Sequence, residues 1–185
     1  MKVICISGKA QHGKDTVASK IKEALENDEH TVLITHYADL VKYICEKFFE
    51  WDGVKDERGR SLLQKVGTDI VRENDADFWV YFIVKILRFF PNNWDYVIIP
   101  DCRFENEIDI MESNFDTITL RVIRTKGESG DIFESNLSND QKSHKSETSL
   151  DNYEFDSYLY NPGTIDGLDN AVSKWIKENI YNEEN

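Results

Sequence analysis

Cysteine, proline and positive charge are all scarce in this chain of 185 residues, and each shortage excludes something. Cys5, Cys45 and Cys102 are odd in number, widely spaced and set in or beside apolar runs. Such spacing makes neither a zinc site nor a disulfide framework, and leaves buried, reduced thiols as the expectation. Lysine and arginine number 22 against 35 acidic residues, a net charge of −13. So acidic a surface repels phosphate backbones, which argues against duplex or single-stranded nucleic acid as the main partner. Any site for an anionic ligand must then be built locally, from a few cations and backbone amides. No stretch approaches the length of a membrane span, and the apolar run after Met1-Lys2 is too short for a leader. The expectation is one cytoplasmic domain, residues 1–185, with 40% apolar content and no internal repeat.

What the sequence does have is Ser7-Gly8-Lys9-Ala10-Gln11-His12-Gly13-Lys14-Asp15-Thr16 near its start. Val3-Ile4-Cys5-Ile6 before it suits a buried strand, and Val17, Ile21, Ala24 and Leu25 after it recur at helical spacing. Strand, glycine loop and helix in that order form the context of a P-loop. Its glycines turn backbone N–H groups around a phosphate, the helix N-terminus adds its dipole, and Lys14 reaches the β- and γ-phosphates. Gly8, Lys9, Ala10, His12, Gly13, Lys14, Asp15 and Thr16 are the candidate nucleotide-binding residues. Asp15 stands where the pattern asks for a Ser or Thr to ligate Mg²⁺.

Further along, residues 31–35 read as a second strand, 40–50 as a helix with Asp39 as its N-cap, and 61–73 and 76–90 as two more helices. Residues 96–99 are a third strand, ending at Pro100-Asp101-Cys102-Arg103, and 106–114 a short helix. Residues 117–123 are a fourth strand, 155–160 a fifth, and 165–181 a closing helix. Residues 125–150 are rich in Gly, Ser, Asn, Asp and Lys, which marks a mobile lid or a disordered loop.

This alternation predicts an α/β fold: three αβα layers around a central, mostly parallel five-stranded sheet. Ligands of such sheets sit outside the carboxyl ends of the strands. Four of those ends carry polar groups: the P-loop, His36 and Asp39, Asp101 and Arg103, and Arg124. Asp101 is a candidate for Mg²⁺ and its waters, or else a helix cap. Arg103 suits an acceptor phosphate as a guanidinium fork, or forms a surface ion pair. Arg124 opens the lid-like stretch, where charge on a triphosphate needs neutralising. Arg72 is read equally as an acceptor contact or as a structural ion pair. Phe78 and Trp79 read as core before they read as base-stacking groups. His12 spaces the loop, and His30 and His36 show no partner pattern.

The loop Gly-Lys-Ala-Gln-His-Gly-Lys-Asp-Thr resembles that of phage-type deoxynucleoside monophosphate kinases. So do residues 63–72 with Asp77-Phe78-Trp79-Val80, and Ile98-Ile99-Pro100-Asp101-Cys102-Arg103-Phe104-Glu105-Asn106-Glu107. His144-Lys145-Ser146-Glu147 is similar to an element shared with animal-type phosphomevalonate kinases. The resemblance implies a P-loop kinase with an acceptor-binding helical region at about 37–90, a lid at 125–150, and phosphoryl transfer from ATP with Mg²⁺. It implies Lys14, Asp15, Arg103 and Arg124 in catalysis, and Asp15, Thr16 and Asp101 beside the metal. Asp39, Arg72, Trp79, Asp101 and Arg103 fall on the acceptor side, and His144 and Glu147 in the lid. The partners implied are small nucleotide substrates, and a homodimer is compatible with the sequence. Two alternatives stand beside a dNMP acceptor: another small phosphorylated acceptor such as phosphomevalonate, or a nucleotide-dependent switch acting on a protein.

Overall fold

Five strands, all paired in parallel, lie in the order β2-β3-β1-β4-β5. The computed structural model describes residues 1–127 and 130–181; residues 128 and 129 of the expected lid and 182–185 of the expected domain lie outside these. The strands are β1 (Lys2–Ser7), β2 (Val32–Ile34), β3 (Tyr96–Ile99), β4 (Asp116–Arg124) and β5 (Ser157–Asn161). Around them lie α1 (Lys14–Asn27), α2 (Ala38–Phe48), α3 (Glu57–Gln64), α4 (Phe78–Phe89) and α5 (Glu105–Asn114). Two short helices, α6 (Asn139–Ser143) and α7 (Lys145–Thr148), precede β5, and α8 (Ile165–Ile176) follows it. α3 runs on as a π-helical segment, Lys65–Arg72, and α8 as another, Lys177–Tyr181.

The period of two in the strands makes the layers. Val3, Cys5, Val97 and Ile99 face one apolar cluster with α2, α4 and α5. Ile4, Ile6 and Ile98 face a second cluster with α1 and α8. A strand buried on both faces reads as the unbroken apolar run seen at 3–6, as parallel sheets require. The three cysteines are free and buried. No helix among the described residues is long and apolar enough to cross a membrane.

Several boundaries shift by a few residues from expectation, and two helix starts bear on the site. α2 begins at Ala38, so Asp39 is not its N-cap; it lies in the first turn, with its carboxylate accepting from His36 N at 3.2 Å. The cap comes instead from Asp101, at the end of β3, whose two oxygens accept from Tyr37 N (3.1 Å) and Ala38 N (2.9 Å). A carboxylate more than sixty residues away satisfies the orphan amides that a local side chain normally takes. The helix expected at 61–73 starts earlier, at Glu57, where Asp56 accepts from Gly59 N at 2.7 Å.

The described residues of the 125–150 stretch do not form a structureless loop. Thr125 and Ile132 form an antiparallel bridge, α6 and α7 follow, and the segment crosses the P-loop.

Candidate active site

The carboxyl ends of β1, β2 and β3 open on one cavity of about 710 Å³, whose wall includes Lys14, Asp15, His36, Asp101 and Arg103. β3 lies directly beside β1, which is what brings Asp101 and Arg103 to the P-loop. Across the cavity stand Gln64, Gly67 and Thr68 with Trp79, and residues 137–147 close it from above.

The P-loop itself is held from outside. A side chain at Gly8 would meet Val122 O at 2.5 Å, and one at Gly13 (φ +88°) would meet Asn161 Nδ2 at 2.6 Å. Only glycine permits that approach. Asn161 Nδ2 donates to His12 O (3.0 Å), tying the loop to the end of β5. His12 is buried, accepts from Arg124 N (3.2 Å) through Nδ1 and donates from Nε2 to Phe133 O (3.1 Å). Burial lowers its pKa, in keeping with a neutral ring.

Lys14 is 8% exposed, and its ammonium donates to Lys9 O at 3.0 Å. Burial, then the nearby charge of Arg103, brings its pKa down to about 7. An amine held so far below its ordinary value is a poised cation that a polyanion would recharge. Asp15, exposed at the start of α1, accepts from His36 Nε2 at 3.1 Å, and His36 Nδ1 lies 3.3 Å from Asp39. That bond lowers the Asp15 pKa and raises that of His36. The partner pattern for His36 was invisible in sequence because its carboxylates come from α1 and α2. Thr16 is exposed beside Asp15 and stays out of the cavity wall.

Arg103 meets the covering segment. Its Nη1 donates to Glu147 Oε1 (2.6 Å), and Glu147 Oε2 accepts from Ala10 N of the P-loop (3.2 Å). Lys9 Nζ donates to Glu147 O (2.6 Å) and to Asp151 (2.7 Å), and Asp151 also pairs with Arg121. A carboxylate thus occupies a backbone N–H and a guanidinium that suit a phosphate oxygen. Nothing in residues 144–151 taken alone showed this.

Asp39 and Arg124 are not brought into the cavity wall. Arg124 lies on the far side of the P-loop, donating to Gln11 O (3.3 Å) with its guanidinium 4.5 Å from the Phe133 ring centre. Arg72 does line the cavity but is held from behind. It donates to Glu107 Oε1 (2.9 Å) and Asn106 Oδ1 (2.6 Å), and lies 3.8 Å over the Phe104 ring. Glu107 is buried and also accepts from Arg103 N (2.7 Å) and Phe104 N (3.1 Å). Burial pushes its pKa up to about 7 against the pull of Arg72. Glu107 was given no role in the sequence. Trp79 is 3% exposed and donates to Gly67 O (2.8 Å), a core residue whose edge reaches the cavity.

A family model described as deoxynucleotide monophosphate kinase matches residues 36–172, most of the chain. The chain belongs to the deoxynucleotide monophosphate kinase family. The deoxynucleotide monophosphate kinase of Enterobacteria phage T4 is 28% identical over 120 residues. That match covers 64% of this chain and 45% of the phage protein, so it spans about half the length of the relative. Among solved structures, shikimate kinase from Aquifex aeolicus matches with a TM-score of 0.51 at 14% identity, covering 99% of this chain and 98% of that one. Mycobacterium tuberculosis APS kinase, solved with AMPPNP and APS, matches at 0.50 with 8% identity, covering 95% of each chain. At these identities the likeness is one of fold. The family match starts at residue 36, so the P-loop rests on its own geometry, while the cavity's Asp101, Arg103 and Gly67 lie inside the matched region.

Proposed function

We propose that this chain transfers the γ-phosphoryl group of ATP to a deoxynucleoside monophosphate. The observation that carries this reading is the shared cavity, lined by Lys14 and the P-loop with Asp101 and Arg103 beside them, and by Gln64, Gly67 and Thr68 as a further wall. With family membership, that layout supports a donor and a phosphorylated acceptor meeting end to end.

The chemistry asks little covalent work of the protein. An oxygen of the acceptor phosphate attacks the γ-phosphorus of ATP, and ADP leaves, so catalysis is positioning and charge neutralisation. P-loop amides and Lys14 hold the β- and γ-phosphates, with Thr16 beside the donor α-phosphate. Arg103 holds the acceptor phosphate. Arg72, fixed by Glu107, keeps Phe104 and the acceptor wall in place, and Arg124 is a cation on the donor side of the loop. The 125–150 lid carries Glu147, which must yield Ala10 N and Arg103 to phosphate oxygens as substrates enter. Closure then excludes the water that would otherwise hydrolyse ATP.

The site suits Mg²⁺. That ion takes one or two carboxylates along with substrate phosphates and water, rather than a full protein cage. Asp15, exposed at the start of α1, is such a carboxylate on the cavity wall. Asp101 lines the same wall with both oxygens already accepting from the amides that start α2, and no cluster of three His, Cys, Asp or Glu forms among the described residues. Bound there, Mg²⁺ would neutralise charge on the β- and γ-phosphate oxygens. The cytoplasm is the compartment where ATP and such acceptors meet.

A coupled ADP-release assay across dTMP, dGMP, dAMP, dCMP and phosphomevalonate tests the assignment. Turnover with at least one dNMP, abolished in Lys14→Ala, is the expected result. Turnover only with phosphomevalonate, or near-normal activity in Lys14→Ala, would refute it.

A further inference from the structure

Gln141 lies on α6 at 8% exposure, among the residues that line the cavity. Its Nε2 is buried and has no hydrogen-bond partner among the described residues. The other end of the amide is committed. Ser138 N donates to Gln141 Oε1 (3.4 Å), while Ser138 Oγ accepts from Gln141 N (3.3 Å), the reciprocal capping box that starts α6. A flipped amide would set two donors against each other at Ser138 N, so the cap decides the orientation that coordinates alone leave open. Gln141 therefore presents N–H donors and no acceptor. Buried donors almost always find partners, and one kept unpaired in a ligand cavity calls for an acceptor from the ligand.

The position says which ligand. Gln141 lines the cavity together with Gln64, Gly67 and Thr68, and His144, just past α6, has its Nε2 3.5 Å from Asp69 Oδ1, the residue after Thr68. Arg124, the cation on the donor side of the loop, does not line this cavity. A neutral amide suits the edge of a base better than a phosphate oxygen, for which Lys14 and Arg103 already stand. We propose that Gln141 is a specificity-determining residue, donating from the lid to a carbonyl oxygen or ring nitrogen on the acceptor's base. This rests on the dNMP kinase reading.

Gln141→Glu tests it cleanly. Glutamate fills the same place in a capping box, so α6 keeps its cap while the free donor becomes an acceptor. Gln141→Leu removes the donor without adding charge. For every dNMP that the wild-type chain phosphorylates, both variants should raise the acceptor KM about tenfold or more with the KM for ATP unchanged, and the glutamate variant, which keeps the cap, should keep the thermal midpoint as well. An acceptor KM unchanged in both variants overturns the assignment, as does an equal rise in the KM for ATP or a rise confined to the glutamate variant. Wild-type turnover of no dNMP overturns the kinase reading and this assignment together. Wild-type turnover with unaffected variants overturns this assignment alone.

Discussion

Replacing Lys14 by Met should make the ligand-free protein more stable while abolishing ATP binding. Lys14 is nearly inaccessible, and its pKa falls from 10.5 to about 7, chiefly through burial. At about 1.4 kcal/mol per pKa unit, holding this ammonium in the fold costs at most about 5 kcal/mol at acidic pH. Methionine fills the channel without the charge, while loss of the bond to Lys9 O gives back about 1 kcal/mol. A net gain of about 2–4 kcal/mol corresponds, for a chain of this size, to roughly 5–15 °C in Tm. The sign with pH follows from proton counts. Between about pH 7 and 10.5 the unfolded chain keeps a proton on Lys14 that the native state has lost, so wild-type stability rises with pH. The cost of the charge is therefore full below pH 7 and falls to about a third by about pH 9.5, where the lost bond to Lys9 O nearly cancels it and the variant's advantage all but vanishes. Urea unfolding of both proteins without nucleotide, at these two pH values, measures it. A variant no more stable than wild type in acid, or a gap that does not narrow in base, would refute the argument.

Glu107→Ala strands the buried guanidinium of Arg72 and should cost about 3–5 kcal/mol by chemical denaturation, with Glu107→Leu/Arg72→Met recovering most of it. Gly13→Ala forces a Cβ against Asn161 at a φ of +88°. It should raise the KM for ATP well above its effect on the dNMP KM, and equal effects would contradict the clamp at Asn161. Glu147→Gln weakens the hold on Ala10 N and Arg103 and should lower the ATP dissociation constant roughly three- to tenfold in equilibrium titration. It should also speed proteolysis between residues 137 and 150.

Much of this was legible beforehand. Apolar runs at 3–6 and 96–99 called for buried parallel strands, and they pair with each other. The glycine spacing at 8 and 13 called for a P-loop, and both glycines stand where a side chain would collide. The local signals misled where a partner lay far along the chain. Asp39 looked like the cap of α2, and the cap is Asp101. His36 looked isolated, and it bridges Asp15 and Asp39. Residues 125–150 read as a mobile lid or a disordered loop because their composition buries little apolar surface; in the structure residues 147 and 151 hold Lys9, Ala10 and Arg103 through polar bonds.

The sequence by itself determined the layered α/β architecture and the phosphate loop, because strand period, helix spacing and glycine sterics act within a few residues. The tertiary structure alone decided which charges meet. Strand order sets Asp101 beside the P-loop, and the packing around the sheet sets Glu107 behind Arg72, Glu147 against Ala10, and the amide of Gln141, whose Nε2 has no partner among the described residues, in the wall of the same cavity. Coulomb and hydrogen-bonding energies depend on distance through space, and separation along the chain does not encode it.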